Sequence, residues 1–182
     1  KEINIMKKIT KTKFKDLLIF EGKNYKDQRG LLREVFLQNM VKKKIIFNIL
    51  SVSKKNVLRG LHFQKKSPQG KYLSVLKGKI FDVVVDLRRK SPTFGKKFFI
   101  ILSHKNCKSI YIPPGFAHGF YSLDNENIIY YGCTEYRSPK NEYSINYNDP
   151  TLKIKWPTKK VILSNKDKNA KTFKELEKDK II

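Results

Sequence analysis

His62, His104 and His118 are the side chains of this sequence best suited to moving protons near neutral pH. A lone histidine is more often a hydrogen-bonded structural residue than a catalyst, so each is read with its neighbours. His62 stands in NVLRGLHFQ, three residues after Arg59, and Lys71 follows nine residues later in PQGKYL. His118 lies in IPPGFAHGF, a Pro/Gly-rich approach to an apolar strand that can hold a polar group at a barrel mouth. His104, in the polar stretch SHKNCK, reads as a turn residue. One histidine, two cations and several strand tyrosines suit proton transfer beside an anionic ligand.

Other chemistries lack their residues. A metal on a small β-barrel needs a His-x-His pair, a carboxylate and a third histidine. No two histidines here are closer than fourteen residues, and Cys107 and Cys133 form no CxxC, so no metal is expected. The GxSxG elbow, the phosphate loop GxxxxGK[ST] and a strand-borne GxGxxG are also missing.

The elements that must position these groups are strands. FKDLLIF (14–20), IIFNILSVS (45–53), KYLSVL (71–76), IFDVVVDL (80–87), KKFFIIL (96–102), SIYIP (109–113) and IIYYGCTEY (128–136) are short and rich in β-branched or aromatic residues. Lys77-Gly78, SPTFG, PPG and Asn148-Asp149-Pro150 punctuate them as turns. Closely spaced short strands with no long helices between them indicate an all-β sandwich or barrel. The stretch 170–180, AKTFKELEKDK, predicts a short terminal helix. One domain over residues 1–182 accommodates all of this.

Composition narrows the partners. The chain has 182 residues, 40% apolar and 12% aromatic, enough for a packed core. Its longest apolar run, Phe98 to Leu102, has five residues, too few to span a bilayer, and the lysine-rich start carries no secretory stretch. Two cysteines exclude a disulfide scaffold, and a cytoplasmic setting is expected. The formal charge is +24, yet 34 of the 40 cations are lysines scattered along the chain. Nucleic-acid readout favours clustered arginine, so a lysine-biased surface, with neither nucleic acid nor membrane as partner, is expected.

Several motifs occur in order: DQRGLLREVF, SVSKKNVLRGLHFQ, SPQGKYLSVLKGKIFDVVVDLRRKSPTFG, YIPPGFAHGF, NEYSINYNDPTLKIKWP and ILSNKD. Together they resemble the dTDP-4-dehydrorhamnose 3,5-epimerase family over about residues 14–167. The resemblance implies a cupin-type jelly roll, a homodimer, no cofactor, and epimerisation of a nucleotide-linked 4-keto-6-deoxyhexose at C3 and C5.

By the same resemblance His62 is the general base and Asp167 its carboxylate partner. Lys71 steadies the enolate, and Tyr131 is the acid on the opposite face of the sugar. Arg59 and His118 match contacts to the nucleotide sugar. Arg29, Glu34, Asn48, Arg137, Glu142 and Lys166 match further binding positions. Two places depart from the family pattern: Asn48-Ile49-Leu50 replaces a more polar segment, and Arg137 replaces a base-stacking tyrosine. A guanidinium also stacks on a base, so the identity of the base stays open. A single-centre epimerase and a non-catalytic sugar-nucleotide-binding cupin are the alternatives.

Overall fold

The structure, a computed structural model, describes residues 8–182; part of the lysine-rich start lies outside the described residues. In chain order the strands are β1 (Lys8–Lys11), β2 (Leu18–Glu21), β3 (Tyr25–Asp27), β4 (Gly30–Leu32), β5 (Phe47–Lys54), β6 (Leu58–Gln64) and β7 (Lys71–Lys77). They continue with β8 (Lys79–Asp86), β9 (Lys97–Ser103), β10 (Lys108–Ile112), β11 (Phe116–Ser122), β12 (Glu126–Cys133) and β13 (Glu142–Ser144). Two short helices follow, α1 (Asn165–Lys168) and α2 (Phe173–Lys178).

The antiparallel strands form a six-stranded sheet, β1-β2-β10-β7-β12-β5, and a five-stranded sheet, β13-β6-β11-β8-β9. Between them lies a core in which Leu73, Val75, Ile110 and Ile129 of the first sheet meet Ile80, Val84, Leu102 and Phe120 of the second. Each such side chain contributes about 1.5–3 kcal/mol by leaving water. Period-2 alternation sends the intervening residues outward. Val83, Val85, Leu61 and Phe63 pack beneath α2 through Phe173 and Leu176. Tyr72 and Tyr111 are covered by Phe20 and Val41. The fold is all-β with short C-terminal helices, as the strand-rich pattern predicts.

Local differences from the sequence reading have physical causes. Within 14–20 only the end is strand, because Asp16 takes a positive φ of 66° and turns Phe14 and Leu17 into the core as a plug. The terminal helix is shorter than 170–180. Thr172 caps α2 in a reciprocal box with Glu175, and Lys180, at φ 55°, closes it. The strands β6 and β11 escaped the pattern because Arg, Gly, Gln, His and Ser interrupt their apolar alternation. His104 does sit in a turn, where its Nδ1 accepts a hydrogen bond from Gly78 N at 3.1 Å.

Candidate active site

One end of the space between the sheets is open and forms a cavity of about 650 Å³. The same alternation that builds the core fills its walls with polar groups where the strands pass beyond the apolar plug. Lys71 shares its face of β7 with Leu73 and Val75. Tyr131 shares its face of β12 with Ile129, and Ser51 lies on the inward face of β5. Tyr130 points the other way, to the outer face, where its hydroxyl donates to Asn48 Oδ1 at 2.8 Å.

Arg59 and His62 are three apart, so a regular strand would aim them at opposite faces. A bulge between β6 and β11 removes the conflict: His118 pairs with His62 but Phe120 with Arg59. Gly60 makes this possible. Its φ is 122°, and a Cβ there would meet Gly119 Cα at 2.4 Å. Both Arg59 and His62 therefore line the cavity, with His118 beside them.

Asp167 reaches the site from far along the chain. Leu58 N donates to Ile162 O at 3.0 Å and Ile162 N to Asn56 O at 2.8 Å, tying the C-terminal segment alongside β6. Ser164 then caps α1 by accepting from Asp167 N at 3.1 Å. The result is a 2.6 Å contact between Asp167 Oδ1 and His62 Nε2, across 105 positions. Burial pushes the Asp167 carboxyl up, but the bonds from His62, Ser164 and the Gly60 backbone outweigh it and hold it below its ordinary value.

The opposite wall has its own electrostatics. Burial lowers the Lys71 ammonium from the usual lysine range, opposed by Cys133, Glu142 and Asp82 nearby. The Tyr131 phenol is pushed far up by burial and by the Asp82 carboxylate, so it stays protonated. Burial likewise raises the Cys133 thiol, against the pull of Lys71. At the rim, Arg137 grips Glu142 with two bonds of 2.8 and 3.0 Å, and Lys166 Nζ adds a third at 3.5 Å. The Arg137 bonds come first in holding the Glu142 carboxyl at about 2.

His62, Asp167, Tyr131, Lys71, Arg59, His118, Arg137, Glu142 and Lys166 thus surround one cavity. Three other candidates do not reach it. Asn48 sits on the outer face of β5, its place in the cavity wall taken by Ile49, because adjacent strand residues alternate. Arg29 pairs with Asp27 on the exposed β3–β4 hairpin, at 2.6 Å. Glu34 follows that hairpin, outside the cavity, with one carboxylate oxygen buried and unbonded.

Sequence reasoning passed over Asp82. It is 1% exposed on the inward face of β8, where its Oδ2 lies 2.8 Å from His118 Nε2. The available signal was an acid, Asp82, in the middle of the apolar run IFDVVVDL, with Asp86 four residues on at the strand end. Among the described residues, no group of three His, Cys, Asp or Glu side chains could hold a metal ion. No helix among them is long and apolar enough to cross a membrane.

A base-and-carboxylate dyad, an ammonium and a neutral phenol around one cavity are what abstraction and return of a carbon-bound proton require. Comparison with known proteins identifies the family. The chain is 41% identical to the dTDP-4-dehydrorhamnose 3,5-epimerase of Methanothermobacter thermautotrophicus, over 91% of this chain and 94% of that protein. Its fold matches the Legionella pneumophila dTDP-6-deoxy-D-glucose-3,5-epimerase, solved with dTDP-4-keto-L-rhamnose, with TM-score 0.89 and 42% identity over 94% and 95% of the two chains. A 3'-monoepimerase from Streptomyces bikiniensis, solved with dTDP-quinovose, is 29% identical with TM-score 0.88 over 94% and 90%. The profile of one family covers residues 11–175. The chain belongs to that family, the dTDP-4-dehydrorhamnose 3,5-epimerases.

Proposed function

We propose that this isomerase inverts C3 and C5 of a dTDP-linked 4-keto-6-deoxyhexose, with His62 as base, Lys71 at the ketone oxygen and Tyr131 as acid. The observation that carries the reading is the placement of His62–Asp167 and Tyr131 on facing sheets across one cavity.

A hydrogen on carbon next to the C4 ketone is weakly acidic. His62, held at Nε2 by Asp167, presents Nδ1 to take it. The imidazolium formed is then steadied by the carboxylate. The electron pair moves to the ketone oxygen, where the Lys71 ammonium opposes charge that exists only during reaction. Tyr131 returns a proton to the opposite face of the carbon, inverting it. His62 releases its proton and the phenolate regains one, so the second centre reacts in the same way. No electrons leave the sugar, so the chemistry needs no oxidant.

Arg59 and His118 fit the nucleotide-sugar contacts, and Arg137, Glu142 and Lys166 the base end. A homodimer belongs to the same proposal. It is supported by the exposed Leu31, Leu32, Leu50 and Val52 side chains, and sedimentation equilibrium measures it. Arg29, Glu34 and Asn48 enter the proposed site only through such an assembly.

The test is incubation of the dTDP-linked 4-keto-6-deoxyglucose in deuterium oxide, with parallel UDP-, CDP- and GDP-linked sugars. Deuterium at both C3 and C5, fastest with dTDP, is expected. The similar fold of a monoepimerase gives the second reading its footing, and label at one carbon only would establish it. Absence of label would reduce the protein to a binding module.

A further inference from the structure

The proposed acid, Tyr131, needs its hydrogen aimed at the substrate and its oxygen supported once that hydrogen is gone. Two serines on the neighbouring strand are arranged for this. Ser51 and Ser53 share the inward face of β5, and their hydroxyl oxygens are 3.4 Å apart. β5 pairs with β12 so that Ile129 is opposite Ser51 and Tyr131 opposite Ile49, which makes Ser51 the diagonal neighbour of Tyr131. Ser51, Tyr131 and Arg59 all line the cavity. Arg59 Nε donates to Ser53 Oγ at 3.0 Å, and its Nη2 donates to Val52 O at 3.4 Å.

The direction of this chain is decided at the arginine end. A guanidinium has donors only, so Ser53 must accept there. The Ser53 hydrogen is then free for Ser51 Oγ, which leaves the Ser51 hydrogen free for the phenol oxygen of its diagonal neighbour across the strand pair. An oxygen already receiving a donor on that side directs its own hydrogen elsewhere, into the cavity. Burial and the Asp82 carboxylate hold the Tyr131 phenol far above its ordinary value, and the positive charge of Arg59 and the nearby Ser51 hydroxyl oppose them.

We propose that Ser51 and Ser53 are positioning residues for Tyr131, forming a line of hydroxyl donors headed by Arg59 that orients the phenolic hydrogen toward the substrate and supports the phenolate after proton delivery. The proposal rests on Tyr131 being the acid. Tyr131 gives its proton to carbon, and the oxygen then accepts the Ser51 hydrogen bond without breaking the serine O–H. Solvent water recharges the phenolate.

The experiment compares Ser51→Ala, Ser53→Ala, Ser51→Thr and Tyr131→Phe in deuterium oxide, measuring label uptake from the base face and inversion separately. Tyr131→Phe should keep uptake and lose inversion. If it keeps both or loses both equally, the acid assignment fails, whatever the serines do. With that assignment intact, each alanine variant should lower inversion about tenfold relative to uptake, the worth of one well-placed hydrogen bond. KM should stay within about twofold, because the serines act after binding. Ser51→Thr, which restores the hydroxyl, should recover the wild-type ratio. An unchanged ratio in both alanine variants, a parallel fall of uptake and inversion, or failure of threonine to recover it would overturn the serine proposal alone.

Discussion

His62 and His118 face each other across the β6–β11 pairing, and a carboxylate holds each imidazole at Nε2: Asp167 at 2.6 Å and Asp82 at 2.8 Å. The two dyads differ in their access to solvent. The His62 side chain is 37% exposed, that of His118 only 4%. A base that works twice per turnover must release its proton, which the open dyad can do and the sealed one cannot. The contrast favours His62 as the base and His118 as a fixed contact.

Replacing His62 with asparagine keeps a polar group beside Asp167 but removes the proton acceptor. Turnover should fall about 10²–10⁴-fold, the usual contribution of general-base catalysis. Deuterium uptake should fall at both carbons together. Uptake surviving at one carbon would assign that centre to another base.

Asp167→Asn should leave the fold and the KM nearly unchanged, since Ser164 caps α1 through the backbone of residue 167. The kcat should drop by about 10²–10⁴-fold, because the imidazolium loses its counter-charge and the ring its fixed tautomer. Steady-state kinetics on the dTDP-linked ketosugar checks the split. A rise in KM with kcat intact would make Asp167 a binding residue.

Lys71→Met is close in volume and removes only the ammonium. The expected loss in kcat is about 10²–10³-fold, as for removal of an oxyanion donor. Uptake and inversion should fall in parallel, because both pass through the same enolate. Selective loss of inversion would place Lys71 on the acid side instead.

The rim pair gives a pH-dependent stability. The folded Glu142 carboxyl, at about 2, lies below its ordinary 4.5 mainly through Arg137, so the folded form binds protons less readily. Its stabilisation is complete above 4.5 and is lost as pH falls toward about 2. Thermal melts of wild type and Glu142→Gln should therefore differ at pH 7 and converge as acid titrates the carboxylate. A constant difference across that window would show that the ion pair carries no net stabilisation.

How much of this was legible in the chain varies residue by residue. IFDVVVDL and IIYYGCTEY announce strands because β-branched and aromatic residues crowd them. Alternation alone places Tyr131 opposite in facing to Tyr130, and Lys71 with Leu73 and Val75. β6 and β11 were hidden because the polar and glycine residues that make a site also erase the apolar period. Asp82 was invisible as a site residue, since the two acids of that apolar run, Asp82 and Asp86, say nothing of which one meets a histidine on the next strand.

By itself the sequence determined an all-β chain, the faces of residues in the strands whose alternation is regular, and the motifs that carry the family. Those follow from local sterics and period-2 patterning, which act between neighbours. Tertiary structure alone decided that Asp167 meets His62, that a bulge at Gly60 turns Arg59 to the same side, and that Asn48 and Arg29 stay outside the cavity. These depend on which segments the sheets bring side by side, and pairing across 105 positions is set by the packing of the whole core rather than by any local preference.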